Sequence, residues 1–155
     1  MKILISACVY GQDVRWNGSN RRHQEIHEWA ETNGFELVPI CPEHELFGTP
    51  RSTIRLRSVG DDIKAFAGKQ EVYKQLKDKC EEIEQRHDEV VGFIGIARSP
   101  TCGLSVGVKD LGRTIKAPMH QVGDFPSTEI SSMNTDKNRQ HFLERIKKYE
   151  SRRPR

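Results

Sequence analysis

The sequence lacks the features that mark membrane, secreted or repeat proteins. None of its apolar runs approaches the roughly 18 residues that a transmembrane helix needs, and no internal repeat is evident. The short apolar run after Lys2 passes at once into polar residues without a small-residue cleavage site, so it predicts a first strand and not a signal peptide. Without an export signal, we expect a cytoplasmic protein with no membrane partner and no disulfide bonds.

Aromatic residues make up only 7% of the chain, and basic residues are enriched at its C-terminal end. Residues 137–155 contain eight Lys and Arg against two Glu, whereas residues 1–136 carry a net charge of −3. No aromatic interleaving accompanies these basic residues, although single-stranded nucleic-acid sites depend on it. We therefore predict a solvated helix face and a basic tail over residues 151–155, and we do not expect nucleic-acid binding.

The chain of 155 residues has the length of one domain, which we place at residues 1–150. Charged residues make up 30% of it and apolar residues 35%, and the apolar residues occur in short runs separated by polar stretches of helical period. This composition is typical of a globular protein and not of a disordered one.

The first 41 residues predict a strand-helix-strand unit. Lys2 to Cys8 has the pattern of a short buried strand, and Phe35 to Cys41 has that of a second one. Between them we expect a helix over about residues 21–33, capped by Ser19 or Asn20. This order favours two parallel strands joined by a right-handed crossover.

The remaining segments continue the alternation of strands and helices. They are predicted as a loop over 42–51, an edge strand or extended loop over 54–58, a helical stretch over 61–87 broken near Gly68, a strand over 89–97, a loop over 98–107, a short strand or hairpin within 106–118, and a helix over 134–149. The alternation predicts a single three-layer α/β domain of Rossmann-like type, with helices on both faces of a mainly parallel sheet.

Three of the four cysteines share a position relative to these strands. Cys8 and Cys41 each end an apolar strand, and Cys102 follows the third strand by a short loop. Because the C-terminal ends of parallel strands form one edge, the three thiols are expected to meet there. Cys80 differs, because it lies in a helical apolar stripe and is interpreted as a buried structural thiol.

Three thiolates are able to hold zinc, together with a histidine or carboxylate, or a cubane iron-sulfur cluster with one open iron. The sequence contains no Cys-x-x-Cys pair that would decide between the two. A third use would be a phosphatase-like nucleophile at Cys8, which requires an arginine after five intervening residues. Val14 occupies that position and Arg15 follows it, so the loop does not fit a phosphatase.

Five short motifs resemble those of a known family. They are Ser6-Ala7-Cys8, Arg15-Trp16-Asn17-Gly18, Pro39-Ile40-Cys41-Pro42-Glu43, Gly48-Thr49-Pro50-Arg51 and Arg98-Ser99-Pro100-Thr101-Cys102-Gly103. In this order they resemble the thiouracil desulfidase family, the domain of unknown function 523 proteins. The resemblance implies a 4Fe-4S cluster held by Cys8, Cys41 and Cys102, whose open iron takes the sulfur of a thiolated pyrimidine. Many members have a further cysteine where this chain has Val14.

The reaction also needs a group that moves protons. Glu43 lies two residues after Cys41, and both this position and the resemblance make it the catalytic candidate. By the same resemblance, Ser99 would bind the substrate or help in proton transfer, although a turn-stabilising hydroxyl is an equal interpretation. The candidate ligands of a phosphate or of pyrimidine oxygens are Arg15, Arg51 and Arg98.

We therefore expect a non-redox desulfidase that converts thiouracil or 4-thiouridine monophosphate to uracil or the uridine nucleotide, with release of hydrosulfide. The alternative is a zinc- or cluster-stabilised module that binds a nucleotide or sulfide without catalysis. The module would need the three cysteines but not Glu43. The sequence leaves the oligomeric state open.

Overall fold

The computed structural model describes residues 1–109 and 111–153, and their order of elements is that of an α/β protein. The elements are β1 (Lys2–Ser6), α1 (Ala7–Tyr10), α2 (Gln24–Thr32), β2 (Glu36–Ile40), α3 (Pro42–Phe47), β3 (Ile54–Val59), β4 (Asp62–Ala67), β5 (Gln70–Glu71), α4 (Tyr73–Arg86), β6 (Val90–Gly95), β7 (Val106–Gly107), β8 (Thr114–Ile115), β9 (Ser127–Glu129) and α5 (Asp136–Arg152). Single 3-10 turns lie at Pro118–His120 and Ile130–Met133.

The central sheet has four parallel strands in the order β2-β1-β6-β9. Ile3, Leu4 and Ile5 of β1 are fully buried, because a central parallel strand is covered on both faces. Helix α2 makes the crossover from β1 to β2, which confirms the predicted strand-helix-strand unit.

Helices cover both faces of this sheet and create two apolar layers. On one face Ile3 and Ile5 pack with Ile26 of α2 and Phe142 of α5. On the other face Leu4 and Phe93 pack with Cys80 and Ile83 of α4. The predicted three-layer α/β architecture is confirmed, and so is the burial of Cys80 in an apolar helix face.

The prediction of a loop over residues 42–51 is wrong in its first half, which forms the short helix α3. Pro42 occupies the first turn of this helix, where a proline needs no hydrogen-bond partner for its nitrogen and has a suitable φ. The Cys41 thiol caps the helix by accepting a 3.4 Å hydrogen bond from the His44 backbone N–H. The proline therefore starts a helix at this point instead of interrupting one.

The prediction of a helical stretch over 61–87 is also wrong before Tyr73. Strands β3, β4 and β5 form a separate antiparallel sheet, in which Leu56 faces Ala65. Gly60 and Gly68 have φ values of 62° and 63°, which glycine tolerates, so the chain reverses at both positions. Residues 54–58 do form an edge strand, which was one of the two predicted alternatives, but this strand belongs to the second sheet and not to the central one.

Several boundaries also differ from the predictions. Helix α2 begins at Gln24 with His23 as its N-cap, so neither Ser19 nor Asn20 caps it. Strand β9 was not predicted, since its Ser-Thr-Glu sequence lacks apolar residues. The hairpin option within 106–118 is confirmed by the pairing of β7 with β8.

The C-terminal helix α5 extends to Arg152, so part of the predicted basic tail is helical. Residues 154 and 155 of that tail lie outside the described residues. Among the helices of the described part of the chain, none is both long and apolar enough to cross a membrane.

Candidate functional site

Three adjacent parallel strands bring the three candidate cysteines to one edge of the central sheet. Cys8 lies in the short helix that follows β1, Cys41 follows β2 directly, and Cys102 lies in the loop after β6. Since the strand order is β2-β1-β6, the segments that carry these residues are neighbours. The convergence therefore results from topology, although 60 residues separate Cys41 from Cys102 in the sequence.

All three cysteines are free thiols in a largely apolar environment. Cys8 and Cys102 are only 9% and 6% exposed, and Cys41 is half-buried. Burial raises the pKa of the Cys8 thiol to about 11, and the nearby Cys41 thiol adds to this rise. Burial also raises the pKa of Cys102, to which Cys41 again contributes. Cys41 therefore lies within electrostatic range of both other thiols.

The donor set suits a cofactor whose positive charge would favour thiolates over thiols. The buried Ser6 hydroxyl has no hydrogen-bond partner of ordinary geometry among the described residues, and beside Cys102 it lowers the thiol pKa that burial raises. No group of three or more His, Cys, Asp or Glu within the described ranges is arranged to hold a single metal ion. A cubane cluster places each thiolate on a different iron, so the three cysteines remain a predicted ligand set for such a cluster.

The loop that carries Cys102 is fixed from two sides. Ser99 Oγ accepts hydrogen bonds from the backbone N–H groups of Thr101 and Cys102, at 3.3 and 3.0 Å. His120 Nε2 lies 2.8 Å from the Cys102 carbonyl oxygen, and burial lowers the pKa of this histidine, which favours the neutral ring. A Cβ atom added at Gly95 would lie 1.9 Å from the same carbonyl oxygen. The loop position therefore depends on close contacts below and beside it.

Glu43 lies in the first turn of α3, and its side chain is only 12% exposed. Thr101 Oγ1 donates a 2.9 Å hydrogen bond to Glu43 Oε2, and Arg51 Nε donates to Oε1 at 3.4 Å. The carboxylate is thus held between the segment after Cys41 and the loop of Cys102. Both hydrogen bonds fix the position of the carboxylate, and the Arg51 guanidinium compensates its charge.

The three candidate arginines differ in how firmly they are held. Arg51 is 7% exposed and also donates to the Gly48 carbonyl and the Thr49 hydroxyl, at 3.1 and 2.9 Å. Arg15 lies 3.4 Å from the Ser19 hydroxyl, and its charge acts against the raised pKa of Cys8. Arg98 is exposed and has a left-handed backbone with φ of 68°, which non-glycine residues rarely adopt.

A cavity of about 330 Å³ brings most of the candidates together. Its lining includes Cys8, Glu43, Ser99, Arg15, Arg51 and Arg98. Cys41 and Cys102 are not among its lining residues. This volume suits a small ligand.

Two residues of the site were not assigned a role from the sequence. Trp16, 46% exposed, lines the cavity beside Arg15, and its backbone carbonyl accepts a 2.9 Å hydrogen bond from the Arg51 N–H. Thr101 is fully buried and contacts Glu43. Both belong to the motif segments quoted above, but only the structure reveals their contacts.

Comparison with known proteins gives two matches. The family model described as 2-thiouracil desulfurase matches residues 3–125. A solved structure described as a [4Fe-4S]-dependent thiouracil desulfidase, TudS, is 18% identical with a TM-score of 0.66, and the alignment covers 85% of this chain and 92% of that chain. At this identity the second match demonstrates a shared fold. No curated protein sequence matches the chain.

Proposed function

Because the chain belongs to the 2-thiouracil desulfurase family, we propose that it is a hydrolytic desulfidase of thiolated pyrimidines. Water replaces sulfur at the thiocarbonyl carbon, so the products are the pyrimidine carbonyl compound and hydrosulfide, and no net redox change occurs. The proposed substrates are thiouracil and 4-thiouridine monophosphate. The observation that carries this proposal is one cavity lined by a cysteine, a largely buried carboxylate, a serine and four arginines.

Cys8, Cys41 and Cys102 would hold a 4Fe-4S cluster. When bound with one open iron, this group supplies a Lewis-acidic site for a soft thiocarbonyl sulfur. Burial raises the pKa values of Cys8 and Cys102, so the bound group itself would have to supply the positive charge that holds both as thiolates. A cytoplasmic location is part of the proposal, since its reducing conditions keep such thiols free.

Glu43 would accept a proton from the attacking water. It lines the cavity, and its two oxygens are fixed by Thr101 and Arg51. The Arg51 guanidinium compensates the charge of this largely buried carboxylate, and a carboxylate held in this way would be placed to act as a general base. The proton taken from water leaves the site as the carbonyl compound forms.

Ser99 and the arginines would orient the pyrimidine. The Ser99 oxygen already accepts two backbone hydrogen bonds, so its own proton is free to be donated toward the cavity. Arg15 and Arg98 line the same cavity and would bind pyrimidine oxygens or a phosphate.

The experiment is anaerobic reconstitution with iron and sulfide, followed by iron quantitation and a sulfide-release assay on 4-thiouracil and 4-thiouridine monophosphate. Four irons per chain together with sulfide release would support the proposal. A loaded protein that binds uridine monophosphate but releases no sulfide would instead indicate a cluster-stabilised binding module. Absence of iron binding would exclude the cofactor assignment.

A further inference from the structure

A second and larger cavity opens next to the first one. It has a volume of about 1300 Å³ and shares Trp16, Arg51, Arg55 and Arg98 with the smaller cavity. We call it the basic groove, because the charged residues that line it are Arg51, Arg55, Arg57, Lys69, Arg98 and Lys109. None of its described lining residues is acidic. A ligand bound in the smaller cavity is able to continue into this groove.

The second sheet creates the basic groove by strand alternation. Ile54 and Leu56 of β3 point into the core. Because side chains alternate along a strand, Arg55 and Arg57 point outward. Lys109 joins them through its backbone, which accepts a 3.1 Å hydrogen bond from the Ser58 N–H and donates one of 3.1 Å to the Leu56 carbonyl. The sheet therefore fixes the relative backbone positions of Arg55, Arg57 and Lys109.

Apart from Arg51, which pairs with Glu43, the cations of the basic groove have no carboxylate partner among the described residues. Arg57 stands directly opposite Lys64 in the pairing of β3 with β4, a like-charge pair that destabilises an antiparallel sheet. Within the described part of the chain, Arg55, Arg57 and Lys109 form no ion pair with a carboxylate. A bound polyanion would supply the missing negative charge.

Two aromatic side chains accompany the cations. Trp16 is 46% exposed at the junction of the two cavities. Phe66 lines the basic groove, and the Arg57 guanidinium carbon lies 5.7 Å from the centre of its ring. Aromatic faces beside a row of cations are the combination by which proteins bind single-stranded nucleotides, since bases stack and phosphates pair with the charges.

We propose that the basic groove binds a row of phosphates attached to the thiolated nucleoside, and that Trp16 stacks on a base. The inference rests on the proposed desulfidase function and narrows its substrate to a nucleotide with phosphates beyond the first. Arg51 and Arg98 line both cavities, whereas Arg57, Lys69 and Lys109 line only the larger one, where phosphates beyond the first would lie. The phosphates belong either to a nucleoside polyphosphate or to a strand of RNA.

This ligand differs from the expectation of no nucleic-acid binding, which was based on the C-terminal basic residues. Those residues lie on α5, whereas the groove is formed by β3 and the segments next to it. The groove cations are scattered through residues 51–109, so no run of the sequence reveals them.

A binding experiment tests the groove without a cofactor. Fluorescence anisotropy of labelled hexauridylate is measured on the purified chain over a range of salt concentrations, with unlabelled hexauridylate, uridine monophosphate and uridine triphosphate as competitors. We expect log K to fall with log salt by roughly 0.7 for each phosphate contact. Stronger competition by the triphosphate than by the strand would identify a polyphosphate, and the reverse would identify RNA. Equal competition by the monophosphate would overturn the inference.

Matched variants locate the binding surface. One variant combines Arg57→Gln, Lys69→Gln and Lys109→Gln. Its slope of log K against log salt should be smaller in magnitude by about two, and its affinity for hexauridylate should be at least about tenfold lower. The control is Lys137→Gln, Lys147→Gln and Lys148→Gln on α5, which removes the same charge from a different face. Equal loss in both variants would mean non-specific attraction and overturn the inference. Urea unfolding of each variant verifies that it is folded.

The activity of the protein reconstituted with its cluster then distinguishes the desulfidase proposal from the proposal about the basic groove. We expect the groove variant to lower kcat/KM for a 4-thiouridine-containing oligonucleotide or triphosphate relative to kcat/KM for 4-thiouracil. Sulfide release from 4-thiouracil with no preference for phosphates would retain the desulfidase and overturn the groove inference. No sulfide release from any of these compounds would remove the desulfidase, and with it the assignment of the groove ligand as a substrate.

Discussion

The Thr101 hydroxyl donates a 2.9 Å hydrogen bond to Glu43 Oε2 across a sequence separation of 58 residues. This contact joins the loop that carries Cys102 to the helix that begins after Cys41. Thr101 is fully buried, so its hydroxyl has no solvent to replace the carboxylate as a partner. The position of the proposed general base therefore depends on the same loop as a proposed cofactor ligand.

Replacing Thr101 by valine should impair orientation of Glu43. A hydrogen bond to a charged group contributes about 1.5–3 kcal/mol, which corresponds to a roughly tenfold to hundredfold lower kcat/KM. Thr101→Ser retains the hydroxyl and should keep most of the activity. Steady-state sulfide release is measured for both variants at equal iron content. Equal activity of the two variants would contradict the positioning role.

Replacing Glu43 by glutamine should abolish proton transfer while leaving the cofactor in place. The expected loss in kcat is about 10²- to 10⁴-fold, the range that general bases contribute. The amide oxygen still accepts a hydrogen bond, so the fold should persist and the iron content should stay unchanged. Turnover at the original rate would remove Glu43 from the mechanism and favour a binding module.

Serine substitutions of the cysteines should separate ligands from structural thiols. Cys8→Ser, Cys41→Ser and Cys102→Ser should each reduce iron bound after anaerobic reconstitution. Cys80→Ala is the matched control, because Cys80 is fully buried in the apolar face of α4. It should retain the iron at a cost of about 1 kcal/mol in unfolding free energy. Iron loss in this control alone would refute the ligand assignment.

Gly95→Ala should disrupt the Cys102 loop. The new Cβ would lie 1.9 Å from the Cys102 carbonyl oxygen, a backbone atom that cannot rotate away. We expect a loss of about 3 kcal/mol in unfolding free energy and reduced iron uptake. Gly107→Ala has no heavy atom within 4 Å of its Cβ and should stay within about 0.5 kcal/mol of the original protein. Urea titration of both variants provides the measurement.

Stability of the cofactor-free protein should fall at alkaline pH. Burial raises the pKa of Cys80 above its usual value of 9.0, so above that pH the unfolded chain loses a proton that the folded chain retains. Unfolding free energy then decreases by about 1.4 kcal/mol per pH unit for this thiol, until pH reaches the folded-state pKa. Cys80→Ala should make the decline shallower by that amount. An unchanged slope between about pH 9 and 11 would contradict the raised pKa.

The sequence was sufficient for the layered fold and for the position of the cysteines relative to the strands. Apolar runs such as Ile3 to Ile5 and Val90 to Ile94 identify buried parallel strands, because such strands are covered on both faces. Parallel topology then requires their C-terminal ends to meet. The family assignment also followed from short motifs that surround the cysteines, and the family match over residues 3–125 confirms it.

The sequence was insufficient where local signals compete. Residues 61–72 carry polar residues at helical spacing, yet they form two strands because Gly60 and Gly68 reverse the chain and β3 provides a pairing partner. The loop predicted over residues 42–51 begins as helix α3, because the first turn of a helix accepts Pro42. Strand β9 pairs with β6 without an apolar pattern of its own.

What the sequence determined by itself is the class of fold, the edge at which the cysteines converge and the family. Only the tertiary structure decided that Thr101 and Arg51 hold the two oxygens of Glu43, and that Arg57 and Lys109 lie side by side in a basic groove. The physical reason is the range of the interactions. Periodicity and strand order are recognised from neighbouring residues. The contact between Glu43 and Thr101 and those of the basic groove join segments that are far apart in the chain, and no local sequence pattern indicates that such segments meet.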